Sequence, residues 1–404
     1  MQIYYFSTAL SDEIYNEIVK KSKKYKPTFS GVGFDRNVAV GLSEFANIQG
    51  VSYYPIPSYP KYNRMMEKST SFSQGGFKCF VPGVFDLPIL KEFSYFFRTI
   101  KYVKKNLDLS YNNVIVISGL YRCLLRPAKY LKKKYGIKVC AIVPDLLELM
   151  ITYRKDYSGF RQFLNKIDVK KSQEYRDCVD AFVFLSKYMN EPVNKNNMPA
   201  VIVDGLTDIV AFPAKEENTT SDRIILYAGK VSSTFGVDKL VNAFLQAHLD
   251  QDVKLHICGD GDYAPNLREI ANEHDNIVFH GSVSHDEVLR LEISATLLVD
   301  PRPSNMEIVK MSFPSKIIEY MASGTPVLTT NLPCFSDEYR HYQFRIDEES
   351  EEGMVDALQT VFNLSREELN EKGINARKFI LENKTISKQC KKIMDLINGL
   401  GDNE

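Results

Sequence analysis

Seven cysteines are scattered through 404 residues, odd in number and with no CxxC pair among them. That pattern excludes a disulfide framework and a thiolate zinc site, and it fits a reducing compartment. No apolar run approaches the roughly 20 residues needed to span a bilayer. The opening MQIYYFSTALSDE lacks the basic-then-apolar layout of a secretion signal. The chain is therefore expected in the cytoplasm, free or held peripherally on the inner face of the cell membrane. The histidines begin only at His248 and show no HExxH or other ligand spacing, so no metal is expected. Neither half carries GxGxxG after its first strand, which disfavours a dinucleotide-dependent oxidoreductase. Fixed-period repeats and low-complexity tracts are missing as well.

What is present is an ordinary globular composition, 44% apolar and 25% charged. The length implies two domains. The net charge of zero hides an asymmetry. Residues 1–200 hold 31 Lys+Arg against 17 Asp+Glu, a net of +14; residues 201–404 hold 20 against 34, a net of −14. A basic first half suggests an anionic partner, such as acidic lipid headgroups or a lipid-linked diphosphate; otherwise it only tunes non-specific contacts. The lysine runs Lys20–Lys26 and Lys132–Lys134, with the aromatic-basic stretch YFFRTIKYVKK (95–105), either lie on acidic lipid or form solvated helix faces. No recognition motif accompanies the charge, so nucleic acid is not expected as a partner.

Short β-branched runs alternate with amphipathic stretches, the signature of parallel sheets covered by helices. In the first half strands are expected at 3–6, 114–118, 139–143, 181–186 and 200–205, with helices near 36–47, 89–106, 124–135 and 160–176. Val51 to Gly83, rich in Pro, Tyr, Ser and Gly, reads as a long loop on the acceptor side, a disordered stretch or a plain connection. A second series begins at IILYAG (224–229) and runs through strands at 253–259, 277–281, 296–300 and 326–330, with helices between them. The fold class is therefore α/β: two Rossmann-like, doubly wound domains. The expected division is 1–205 for the first domain, 206–222 for a linker and 223–384 for the second. A helix in 385–404 is expected to cross back to the first.

The segment SFPSKIIEYMASGTPVLTT (312–330) carries the strongest signal. Ser312 is placed to cap a helix, Pro314 suits a first turn, and Gly324 stops the helix before a strand. The start of such a helix, at the mouth of a parallel sheet, is suited to an anion such as a diphosphate. Lys316 adds a point charge there, and Glu319 could accept hydrogen bonds from a ribose diol. On spacing alone, a capped helix with a solvated Lys and Glu fits equally well.

This segment resembles the donor-binding helix of GT-B retaining glycosyltransferases, specifically family four, whose members carry a close variant of FPSKxxEYxASGxPV. The resemblance runs upstream through ILYAGKVSSTFGVDKLVNAF (225–244), LHICGDGDY (255–263), NIVFHGSV (276–283) and LLVDPRP (297–303). In the first half only the layout matches, with FLSKYMNE (184–191) the best local likeness. The resemblance implies a GT-B fold with the two domains facing a cleft. It implies a nucleotide diphosphate sugar as donor and a glycan or lipid-linked acceptor, with no metal and no cofactor. Residue by residue, it implies that Gly229 and Lys230 meet the donor phosphates and that Ser282 and Val283 hold the base. Ser315 and Lys316 would lie at the diphosphate, with Glu319 on the ribose.

Three departures from the family pattern stand out. Phe235 occupies the place of a second basic residue, and Arg302 is a candidate to replace the lost charge or else forms a surface ion pair. Met311 occupies the place of a Glu eight positions before Glu319, and Glu307, one turn earlier, is a candidate substitute. A histidine that relatives often place at the end of a first-domain strand is missing; Asp145 stands there, either orienting the acceptor or capping the helix that follows. Gly31 and Gly33, in FSGVGFDR (29–36), would form a cleft-facing glycine loop in the family pattern, although an ordinary turn has the same sequence.

The implied reaction is sugar transfer with retention by front-face attack. Lys230, Lys316 and the helix start would stabilise the leaving diphosphate, and domain closure would exclude water. The likeness points to bacterial capsule, exopolysaccharide or O-antigen assembly. Two rivals remain: a nucleotide-sugar epimerase of the same fold, and a non-catalytic partner subunit that has lost its donor site.

Overall fold

The computed structural model describes residues 1–22, 29–53, 56, 58–59, 62–152, 159–206 and 223–400. The expected linker, from 207 to 222, and the end of the Lys20–Lys26 run lie outside the described residues. The chain divides into two compact units, Met1–Val203 with Ile386–Glu404, and Asp204–Thr385.

The first unit runs β1 (Gln2–Ser7), α1 (Asp12–Lys21), α2 (Phe29–Ser43), β2 (Asn47–Ser52), β3 (Thr70–Gln74), β4 (Phe77–Val81), α3 (Pro88–Asn106) and β5 (Asn113–Ser118). It continues through α4 (Arg122–Tyr135), β6 (Lys138–Val143), α5 (Leu147–Thr152), α6 (Gly159–Tyr175), β7 (Ala181–Phe184), α7 (Asn190–Val193) and β8 (Ala200–Ile202). The sheet order is β3-β4-β2-β1-β5-β6-β7-β8, parallel apart from β3. Strands β1 and β5 are buried along their whole length, as a parallel sheet covered on both faces requires.

The stretch read as a loop from Val51 to Gly83 instead holds the β3–β4 hairpin and adds two strands to the sheet. Gly75 (φ +51°) and Gly76 (φ +85°) supply the left-handed pair that a two-residue hairpin needs. Phe77, Cys79 and Val81 alternate inward, a two-residue period masked by the surrounding Ser and Tyr. The expected helix 36–47 is also corrected. It begins at Phe29 and ends at Ser43 because Val32, Val38, Ala39 and Leu42 share one buried face.

The second unit runs β9 (Arg223–Ala228), α8 (Val237–Gln246), β10 (Val253–Cys258), α9 (Ala264–Glu273), β11 (Ile277–Gly281), α10 (His285–Ser294) and β12 (Leu297–Asp300). It then forms α11 (Glu307–Lys310), α12 (Ser315–Ser323), β13 (Val327–Thr330), β14 (Phe344–Ile346), α13 (Glu351–Phe362) and α14 (Arg366–Asn383). Its sheet, β11-β10-β9-β12-β13-β14, is wholly parallel. The winding reverses between β9 and β12, so the carboxyl ends of those two strands frame the crevice where such sheets take ligands. Lys384 ties the two ends of this unit together: its ammonium donates to both oxygens of Asp204 at 2.9 Å and pairs with Glu338 at 2.6 Å.

The last helix, α15 (Ile386–Asn398), packs on α2 of the first unit, where Cys390 lies close to the Gly41 backbone. All seven cysteines are unpaired. Among the described residues no helix is long and apolar enough to cross a membrane.

Candidate active site

Three parallel strands of the second unit end close together. Gly229 follows β9, Gly259 follows β10, and β11 ends on Gly281. The Gly229 N–H donates to the Cys258 carbonyl at 2.8 Å, and the Gly259 N–H to the Gly281 carbonyl at 2.7 Å. Gly259 sits at φ +133°, and a Cβ there would fall 1.7 Å from the Gly229 carbonyl oxygen. Only glycine allows this approach. The three turns leave a cavity of about 250 Å³, lined by Gly229, Gly259, Ser282, Val283 and Val288 among others. Ser282 and Val283, assigned to the base, thus stand beside Gly229.

Lys316 is the second residue of α12. It is half-buried, and its ammonium lies over the Tyr227 ring, 4.7 Å from the centroid. It also lies against Gly229, where a Cβ would come within 1.7 Å of Nζ. Burial pushes this amine down to about 8; Asp300 pulls it back up, and the Arg302 guanidinium pushes it further down. A cation held at this cost, with a second cation near it, is an arrangement suited to an anion. Helix α12 begins after Pro314, and no side chain caps it. Ser312, expected as that cap, turns the other way and donates to the Ile308 carbonyl at 2.7 Å, the last turn of α11. Ser315 opens α12 and is exposed.

Phe235 proves informative. The Arg302 guanidinium stands 5.2 Å from its ring centroid and Lys230 Nζ stands 5.8 Å from it. The aromatic residue that interrupts the family pattern thus gathers two cations from different loops. Arg302 follows β12 and pairs with buried Asp300 at 3.6 Å, while among the described residues its own Nε meets no acceptor. Lys230 is exposed, with its carbonyl accepting from the Tyr227 hydroxyl at 2.8 Å. Lys230, Arg302 and Lys316 therefore group around the β9–β12 reversal.

Glu319, one turn along α12, is about one-third exposed and lies 3.9 Å from His285. Glu307 is exposed at the start of α11; among the described residues no hydrogen bond or ion pair joins it to Glu319 or to the cations. Sequence reasoning missed Glu292, a fully buried acid on α10. Its signal was an acid on the same helical face as Leu289 and Ile293, both buried.

The first unit contributes a separate set of groups. Asp145 is half-buried two residues past β6, and burial pushes its carboxyl above the ordinary range. Among the described residues no backbone N–H reaches it, so the capping alternative is not realised. Gly31 and Gly33 are not in a loop: both belong to the opening turns of α2, whose buried face extends as far as Val32. A Cβ on Gly33 would meet nothing within 4 Å. Further along α2, Asp35 was also missed. Its buried carboxylate accepts from Thr8 N and Thr8 Oγ1 at 2.7 Å each, from Tyr5 at 3.4 Å, and from Ser118. It ties α2 to the ends of β1 and β5, where this sheet reverses its winding. A hollow of about 350 Å³ lies near the beginning of β7, lined in part by Arg176, Lys195 and Met198, away from the strand carboxyl ends.

Residues 208–379 match the family model described as Glycosyl transferases group 1. That match falls on the second unit and the segment leading into it. An uncharacterized glycosyltransferase of Methanocaldococcus jannaschii is 27% identical over 123 residues. That stretch spans 30% of this chain and 30% of the relative. Solved structures extend the likeness of fold to both units. Sucrose-phosphate synthase from Thermosynechococcus elongatus aligns over 100% of both chains with a TM-score of 0.68 and 13% identity. WaaG, a glycosyltransferase involved in lipopolysaccharide biosynthesis, covers 99% of this chain and 100% of its own, with TM-score 0.62 and 12% identity. Anabaena HepE in complex with UDP covers 98% and 99%, with TM-score 0.62 and 10% identity. The α/β architecture of two parallel-sheet units is that of GT-B glycosyltransferases.

Proposed function

We propose that the chain transfers a sugar, with retention, from a nucleotide diphosphate sugar to an acceptor hydroxyl, as family-four glycosyltransferases do. The observation that carries this reading is Lys316, half-buried at an uncapped helix start, beside Arg302 and against Gly229. As the bond to the diphosphate breaks, negative charge grows on the leaving oxygen. Cations already in place stabilise it without reorganisation. Lys230, Arg302, Lys316 and the N–H groups of Ser315 and Lys316 supply that charge, so the reaction needs no metal and no cofactor. The cavity beside Gly229 takes the base against Ser282 and Val283, and Glu319 takes the ribose. On the first unit, Asp145 is the group to orient an acceptor hydroxyl. Glu307 is not assigned a role. Arg302 restores the charge missing at Phe235, which weighs against a subunit that has lost its donor site.

A panel of ADP, GDP and UDP, each with and without a sugar, tests the reading through melting temperature and turnover. A ligand that binds only the folded state raises the melting temperature. Selective stabilisation by one base, with transfer from its sugar derivative, is expected; no response to any member would end the proposal. The pH profile follows from Lys316. In the ligand-free protein its amine is protonated below about 8, so kcat/KM should hold up to there and fall as the pH rises further. A flat profile from pH 7 to pH 9.5 would contradict it.

For the acceptor we infer a lipid-linked glycan in bacterial surface polysaccharide assembly (capsule, exopolysaccharide or O-antigen), reached from the cytoplasmic face of the membrane. The support lies on α3. Leu90, Phe93 and Phe97, spaced along one face, are 50%, 41% and 63% exposed, and Lys101 and Lys104 continue that face. Arg126 stands over both Phe93 and Phe96. Lys132, in the run read from sequence as either lipid-facing or solvated, is bound to Asp180 at 2.6 Å and is unavailable. Apolar side chains ringed by cations suit an anionic lipid surface. Co-sedimentation with phosphatidylglycerol vesicles should fall at least about fivefold in Phe93→Ser/Phe97→Ser, at the transfer free energy of two partly buried rings. Equal binding of variant and wild type would remove α3 from the account.

A further inference from the structure

Glu292 has no place in the site described so far, yet it sits beneath it. It is fully buried on α10, which packs against α12. Among the described residues no N–H or O–H donor reaches either of its oxygens. A charged carboxylate in such a place would lack every hydrogen bond that could compensate its burial. The group coupled to it is another carboxyl, that of Glu319 on α12, the helix packed against α10. Two carboxyls can meet in this way only by sharing a proton.

We propose that Glu292 is a positioning residue: as a neutral acid it donates a hydrogen bond to Glu319 and aims the free oxygen of Glu319 at the ribose diol. The buried partner is the one that holds the proton. Burial and the adjacent Glu319 push the Glu292 carboxyl up to about 10, and Lys316 offsets only part of that. The other ionisable groups that feel it are Tyr320 on the same α12 and Cys258 at the end of β10. Both are raised by burial first, so neither competes as a charged partner at neutral pH. The arrangement gives Glu319 one fixed oxygen and one presented oxygen. A carboxylate free to turn would lose that direction.

This inference rests on the reading that Glu319 binds the ribose, and the test separates the two. The first measurement is the infrared spectrum at pH 7.5 of wild type and Glu292→Gln. The wild type should show a protonated carboxylic-acid band that is missing from the variant; its absence from the wild type overturns the proposal. The second is the affinity for ADP, GDP and UDP against their 2′-deoxy counterparts, by calorimetry. Wild type should prefer the ribose form of its nucleotide by about tenfold, the worth of one charge-assisted hydrogen bond. Glu292→Gln can still donate through its amide and should keep that preference. Glu292→Leu cannot, and its preference should collapse to that of Glu319→Gln, within about twofold of unity, although a buried polar group has been replaced by an apolar one. A purely structural role would move the melting temperature and leave the ribose preference intact in Glu292→Leu, and that result also overturns the proposal. Loss of ribose preference in the wild type would instead sink the donor reading, while the infrared band would still decide whether the proton is shared.

Discussion

Lys316→Met is expected to lower kcat/KM on the order of 10²–10³-fold, the effect of removing one preorganised charge from a transition state. The melting temperature should stay level or rise. The sign follows from the environment of the amine. Burial holds it near 8, below its ordinary 10.5, so below pH 8 the amine is charged in both states but only the folded protein holds that charge away from water. Methionine removes that cost and keeps the stem packed near Tyr227. Activity and stability should therefore move apart, as expected where a site is held at the expense of the fold. Steady-state kinetics and a thermal melt on the same preparation check both. A variant that loses stability and activity together would make Lys316 a structural residue.

Gly229→Ala should weaken donor binding through a single methyl group. The new Cβ would fall 1.7 Å from Lys316 Nζ, so the ammonium must leave its place. The backbone of Gly229 needs no left-handed conformation, and the displaced atom is the end of a flexible chain, so the fold should absorb the change. Affinity for the nucleoside diphosphate should fall roughly tenfold or more, matching the loss of a charge-assisted contact of about 1.5–3 kcal/mol. Gly259→Ala offers the contrast. Its Cβ would strike the Gly229 carbonyl from a backbone at φ +133°, so it should unfold the turn and lower the melting temperature. Equal affinity in wild type and Gly229→Ala would show that the position of Lys316 is immaterial to binding.

The sheets were legible because parallel strands buried on both faces appear as continuous apolar runs, as in NVIVIS of β5 and LLVD of β12. The hairpin at Gly75–Gly76 was not, since its strands are short and polar on one side. Helices α13 and α14 passed unread although Ser365 and Glu368 form a capping box at the start of α14. At the candidate site, Lys316 was legible from its place at a helix start. The importance of Phe235 was not, because a lost charge and an aromatic support for two cations look the same in sequence. Glu292 and Asp35 escaped notice because each depends on partners far along the chain: Glu319, and Tyr5, Thr8 and Ser118. The glycines at 31 and 33 misled because a helix beginning at Phe29 can run through them once Val32 and the face beyond it are buried.

Calorimetric titration of Lys230→Met/Lys316→Met against wild type, with a nucleoside diphosphate and with the same nucleoside lacking phosphates, isolates the diphosphate contribution. The two charges are expected to account for a preference of about 100-fold or more for the diphosphate, which the double variant should lose while still binding the nucleoside. An unchanged preference in the double variant would contradict the account.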